Sequence, residues 1–124
     1  MTGHFAKGLE GGSVIWPDSS LEEFRASYDD LLLRIREDSG IIKLVRCSGY
    51  IGFNLVGFWD EIIIESAVFT SEHPFLHECE RKVNQMPPSG SPERVRVGNR
   101  LLEIAFIDGC RLWVCGPRFF CENY

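Results

Sequence analysis

Asp108-Gly109, set between the alternating runs Leu101–Ile107 and Cys110–Cys115, constrains the fold more than any other feature of the chain. A type I′ turn needs positive φ at both central positions, and Asp-Gly is among the few pairs that accept it. The two runs are therefore expected to fold back on each other as antiparallel strands. In the second, Leu112 and Val114 alternate with Arg111, Trp113 and Cys115. Arg94 to Val97 also alternates, Gly98-Asn99 makes a tight turn, and Gly116-Pro117 ends the last run, so the final third reads as a β-meander.

Upstream, hydrophobic spacing predicts two helices. Leu21, Phe24, Tyr28, Leu32 and Ile35 recur three or four residues apart, which is the stripe of an amphipathic helix. Ser20 with Glu23 fits a capping box, Ser19 with Glu22 is a competing frame, and Gly40 stands where a C-terminal glycine cap belongs. The expected helix spans 20–38. A second is expected over 72–85, capped by Thr70 or Ser71, with Pro74 in its first turn and Phe75, Leu76, Cys79 and Val83 facing inward. Between them, Ile41–Val45, Tyr50–Val56 and Glu61–Phe69 read as strands interrupted by Gly49, Gly52 and Gly57. Met1–Ser13 reads as a flexible lead-in with Val14-Ile15-Trp16 as a short strand or core anchor after it, and Met86–Pro92 as a loop. The expectation is a single α+β domain over 1–124. It has a mainly antiparallel sheet of about five or six strands with two helices, in the order α-β-β-β-α-β-β-β.

With 124 residues, 44% of them hydrophobic and 25% charged, the chain has the balance of one soluble globular domain rather than of a disordered or fibrous protein. No apolar run reaches the ~18 residues of a membrane span, and Met1–Gly12 lacks the apolar stretch of a secretory signal. Five cysteines without such a signal point to reduced thiols and a cytoplasmic protein. A net charge of −5 argues against nucleic acid as partner. The charge is uneven: no Lys or Arg lies between Arg46 and Arg81, yet Asp60, Glu61, Glu65, Glu72, Glu78 and Glu80 do.

Metal and cofactor chemistry finds little purchase. Cys110, Cys115 and Cys121 are five and six residues apart, too far for structural zinc pairs. His73 and His77 share a helix face, but no glutamate completes a metalloprotease motif. Gly49, Gly52 and Gly57 match neither a dinucleotide loop nor a P-loop. No nucleophile elbow is present, although Cys47 beside Arg46 has a setting that lowers a thiol pKa. On one strand Glu61 and Glu65 share a face about 13 Å apart, wider than the roughly 5–9.5 Å of glycosidase carboxyl pairs. The reading is no catalytic residues, no metal and no cofactor. The carboxylates fit recognition better: Asp60, Glu61 and Glu65 neighbour Tyr50, Phe53, Phe58 and Trp59 with no intervening base. Aromatic anchors ringed by acids capture a basic protein, steered by charge. The expected partner-binding residues are Tyr50, Phe53, Trp59, Asp60, Glu61 and Glu65. An alternative interface is the acidic helix carrying Asp29 and Asp30. The alternatives in function are a small hydrolase using Cys79, His77 or Asp60, and a small-ligand-binding module.

The stretch Gly49-Tyr-Ile-Gly-Phe-Asn-Leu-Val-Gly-Phe-Trp-Asp-Glu61, with the meander around Asp108-Gly109, resembles the small α+β immunity proteins encoded beside bacterial polymorphic or contact-dependent toxins. The likeness is one of size, acidity, layout and style. It implies a cytoplasmic, non-enzymatic inhibitor that covers or distorts the active site of one cognate toxin domain. Such proteins share no common motif, so the resemblance transfers no functional residue to a position in this chain.

Overall fold

A computed structural model describes residues 9–56, 62–85 and 98–124. Among these lie nine strands and one helix: β1 (Leu9–Glu10), β2 (Ser20–Ala26), β3 (Asp30–Arg36), β4 (Ile42–Ser48), β5 (Gly52–Val56), β6 (Ile64–Thr70), α1 (Pro74–Asn84), β7 (Arg100–Phe106), β8 (Arg111–Gly116) and β9 (Arg118–Asn123). The strands form two sheets, ordered β1-β9-β4-β3-β2 and β5-β8-β7-β6. The fold is mostly β, which corrects the expected α+β layout with two helices. The expected strand at Arg94–Val97 lies outside the described residues.

The helix expected over 20–38 is the hairpin β2–β3, and its sequence shows why the spacing misleads. The register shifts between Leu21 and Glu23, a β-bulge that adds one residue to β2. The bulge places Leu21 and Phe24, three apart in sequence, opposite Ile35 and Leu33, which imitates a helical stripe. In β3 the alternation is plain: Leu31, Leu33 and Ile35 are buried, while Leu32, Arg34 and Arg36 face outward. Tyr28, assigned to the stripe, sits exposed in the β2–β3 turn.

Gly40 has φ +97°, but it serves a hairpin rather than a helix end. Glu37 N donates to Ile41 O at 2.8 Å and Gly40 N to Glu37 O at 2.8 Å, closing a three-residue loop with glycine in the left-handed position. The β7–β8 turn repeats this design. Phe106 N donates to Cys110 O at 3.0 Å, Gly109 N to Phe106 O at 3.0 Å, and Gly109 has φ +93°. Asp108 keeps negative φ and accepts from Cys110 N at 3.0 Å, so the hairpin is present without a type I′ turn.

The second expected helix is present as α1. Its cap is His73, whose Nδ1 accepts from Phe75 N at 3.0 Å, and Pro74 occupies the first turn. Leu76 and Cys79 pack on Leu101 and Cys115, flanked by Ile51, Phe75 and Trp113. The helix therefore covers one end of the outer face of the four-stranded sheet.

The inner faces of the two sheets meet in one core that includes Leu21, Leu33, Ile35, Val45 and Phe119 from one side and Ile64, Leu102, Ile104, Leu112 and Val114 from the other. Ser20 bridges Ile63 beside β6, whereas Phe24 packs on Phe53 of β5, at the opposite edge of the same sheet. β2 thus crosses the second sheet steeply, the arrangement of orthogonal sheet packing. Its corner is made by strands that change sheets. β4 pairs with β9 and β5 with β8, so one long two-stranded ribbon bends at Gly49–Ile51 and at Pro117. Gly49 has φ +70° there. A Cβ on Gly116 would lie 2.4 Å from Cys47 Sγ, so only glycine lets the two arms approach this closely. Gly116-Pro117, which reads as the end of the sheet, is the bend that leads into β9.

The amino-terminal segment is held by a buried ion pair. Glu37 is 3% exposed, and its carboxylate accepts from Ile15 N at 2.9 Å and from Lys43 Nζ at 3.0 Å. Lys43 also donates to Ser13 O at 2.7 Å. Val14 and Trp16 are buried beyond this tie, while Ile15 faces solvent, so Val14-Ile15-Trp16 is a core anchor and not a strand. Leu9–Glu10, within the expected lead-in, pairs in parallel with β9.

Candidate partner-binding site

Three aromatic rings meet where the end of β2 passes β5. Phe24 and Phe53 have ring centroids 5.0 Å apart at 61°, and Tyr50 and Phe53 6.1 Å apart at 49°. Tyr50 lies in the β4–β5 bend, and its hydroxyl donates to Ser27 O at 2.6 Å, fixing the ring against the β2–β3 turn. Phe53 remains 42% exposed and Tyr28, in that same turn, 83%. These rings form an aromatic corner that is partly packed and partly open to solvent.

The turn carries acids beside the rings. Ser27 N and Oγ both reach Asp30 O, at 2.8 and 3.1 Å, and Gly49 N donates to Asp29 O at 2.7 Å, which holds the turn against the bend. Asp30 Oδ1 accepts from Ser48 Oγ at 3.1 Å, and Oδ2 faces Arg46 Nη1 at 3.6 Å. The carboxylate of Asp30 is thus oriented rather than free to swing.

Of the six residues expected to bind a partner, the structure brings Tyr50 and Phe53 together. Trp59, Asp60 and Glu61 lie outside the described residues. Glu65 sits exposed at a bulge in β6, between Ile64 and Ser66. β8 and β7 separate β5 from β6, so Glu65 is about 14 Å or more from Phe53 across the sheet. Phe24 joins the corner instead, and Tyr28 lies exposed in the adjoining turn. Tyr28 carries a signal in the sequence, because Ser-Tyr-Asp-Asp over 27–30 is good turn chemistry once residues 20–36 are read as a hairpin.

The groups of the hydrolase alternative do not assemble among the described residues. His77 is exposed beside Glu72 and Glu80, at 3.4 and 3.7 Å, while Cys79 faces inward against Cys115. Among the described residues no group of three or more His, Cys, Asp or Glu side chains is placed to hold a metal. An open depression of about 450 Å³ is lined by Glu22, Glu23, Arg34 and Ile62. Its carboxylates are engaged by arginines, Glu22 with Arg34 and Arg36 and Glu23 with Arg25.

None of the five cysteines is in a disulfide, and all are buried. Burial pushes the Cys47 thiol up to about 12, so the setting beside Arg46 does not activate it. Cys79 and Cys115 are hydrogen-bonded to each other, and the bond holds Cys79 below the ordinary thiol range and Cys115 above it.

Among the described residues no helix is long and apolar enough to cross a membrane. Comparison of the chain with protein-family models, with curated proteins and with solved structures finds no match.

Proposed function

We propose that this chain is a non-enzymatic cytoplasmic inhibitor that binds one basic partner protein, a toxin domain, and covers its active site. The observation that carries the reading is the aromatic corner of Phe24, Tyr50 and Phe53, partly open to solvent, with the exposed Tyr28 and the acids Asp29 and Asp30 in the adjoining β2–β3 turn. Rings held by packing on one side lose little entropy when a partner covers the other, and aromatic anchors dominate most interfaces. Acids around them steer a positively charged partner and disfavour a negative one. In the sequence, Trp59, Asp60 and Glu61 come three to five residues after the end of β5 and are of the same acidic and aromatic kind. Five cysteines outside any disulfide suit a reducing compartment, which supports the cytoplasmic assignment.

The test asks whether a neighbouring gene encodes a basic toxin domain and co-expresses the two, read as growth rescue and as affinity at several salt concentrations. Rescue is expected, with binding that weakens as salt rises. Phe53→Ser with Tyr28→Ser should weaken capture by about 2 kcal/mol or more, as should Asp60→Lys or Glu61→Lys, with the fold intact. Unchanged affinity in both sets of folded variants overturns the reading.

A further inference from the structure

The outer face of the four-stranded sheet holds a pair of thiols that the partner-binding reading does not use. Cys115 lies on β8 and Cys79 on the inward face of α1, in the small cluster that attaches the helix to the sheet. Gly52, on β5, is the direct cross-strand partner of Cys115. A Cβ on Gly52 would lie 2.4 Å from Cys79 Sγ, so the Cys79 sulfur occupies the space above this glycine, next to Cys115. Any larger residue at position 52 would displace the Cys79 sulfur. Cys115 is fully buried and Cys79 is 8% exposed, which makes Cys79 the sulfur that a small reagent reaches first. Cys47 is the next thiol, but it belongs to the inner core cluster.

We infer that Cys79 and Cys115 are a site of reversible oxidation, closing a disulfide that ties α1 to β8 when the chain meets a peroxide. The Cys79 thiolate attacks one peroxide oxygen. The O–O bond breaks, and the departing hydroxide takes up a proton and leaves as water. Cys79 is then a sulfenic acid. The Cys115 sulfur attacks the Cys79 sulfur, the S–O bond breaks, and the hydroxyl leaves with the Cys115 proton as a second water. The two sulfurs together lose two electrons, and the peroxide gains them. A dithiol reductant reverses the step by thiol–disulfide exchange. The hydrogen bond between the thiols favours the thiolate on Cys79, the more exposed partner, which is the order this chemistry needs. The attachment of α1 rests on few side chains, so a covalent tie changes the helix more than the sandwich beneath it.

The test treats the folded, reduced chain with hydrogen peroxide, then alkylates free thiols in denaturant and maps the peptides. The expected product is a Cys79–Cys115 cross-link with Cys47, Cys110 and Cys121 still alkylated. Amide exchange across Pro74–Asn84 should slow by about tenfold or more in the oxidised chain and return on reduction. In Cys115→Ser, Cys79 should stop at a sulfenic acid that dimedone traps. Should that variant fail to fold, the wild-type peptide map decides alone. A different cysteine pair, sulfenic acid at Cys79 of the wild type without a cross-link, or equal alkylation of all five cysteines after peroxide would each overturn the inference.

Discussion

Replacing Gly116 by alanine sets a methyl carbon 2.4 Å from Cys47 Sγ and 3.1 Å from the Tyr50 Cα. Ordinary contacts of this kind lie near 3.5–4.0 Å, so the overlap with sulfur exceeds about 1 Å. Neither neighbour has room to yield. Cys47 is buried in the core, and Tyr50 contributes backbone at the bend. Gly116 does not have positive φ, so the cost is steric and not conformational. Overpacking of a tight site costs about 1–3 kcal/mol, and the backbone contact places this one at about 2–3 kcal/mol. For a chain of this size that lowers the melting temperature by roughly 10 °C. Urea unfolding followed by tryptophan fluorescence measures it, with an unchanged denaturant slope expected. The control is Cys47→Ala, which removes the sulfur and leaves space for the new methyl. Gly116→Ala should cost at least about 1 kcal/mol less in the Cys47→Ala background than in the wild type. Additivity of the two substitutions within about 0.5 kcal/mol would refute the close approach at the corner.

Glu37→Ala should destabilise the chain by about 3–5 kcal/mol, since it strands Lys43 and the Ile15 amide, and Glu37→Ala with Lys43→Met should recover part of that loss in the same urea experiment. Gly40→Ala and Gly109→Ala meet no atom within 4 Å, so each should cost only the left-handed backbone term of about 1–2 kcal/mol, with Gly40→Asn milder than Gly40→Ala. Cys47 keeps its proton in the folded chain to about 12 but ionises near 9.0 when unfolded. Its contribution is therefore whole below pH 9.0 and is lost as pH rises toward 12, at about 1.4 kcal/mol per unit. The stability gap between wild type and Cys47→Ala, measured in reductant, should shift against the wild type over that window, and a constant gap would contradict the burial.

What was legible in the sequence follows from how locally each signal is decided. The β7–β8 hairpin rests on a left-handed glycine between alternating runs, and α1 on a proline in a first turn followed by inward residues at helical spacing. Both signals have one reading. Residues 20–40 have two. Leu21 and Phe24 face inward together because of a bulge, and Gly40 takes a left-handed conformation that ends helices and closes hairpins alike. Nothing within that segment separates the alternatives; pairing with β4, through Leu33 opposite Val45 and Leu31 opposite Cys47, does so. The same holds for the site. Tyr50 and Phe53 meet because they share one bend, whereas Glu65 was grouped with them by sequence distance, and sheet order puts β5 and β6 on opposite edges. Phe24 reaches the corner only through the crossing of the two sheets.

The ribbon that turns the corner also decides how the molecule assembles. Lys43 pairs with Asn123 and Gly52 with Cys115, so strands far apart in sequence must find each other before either layer is whole. Loop closure over such spans is slow, and the expected folding times are those of non-local β proteins, about milliseconds to seconds. β9 lies between β1 and β4, so a chain still lacking Arg118–Asn123 leaves the β4 edge bare. An uncovered edge of this kind invites pairing with another molecule. Neither half can be cut away as an independent piece, and heat or denaturant should dismantle both layers in a single step.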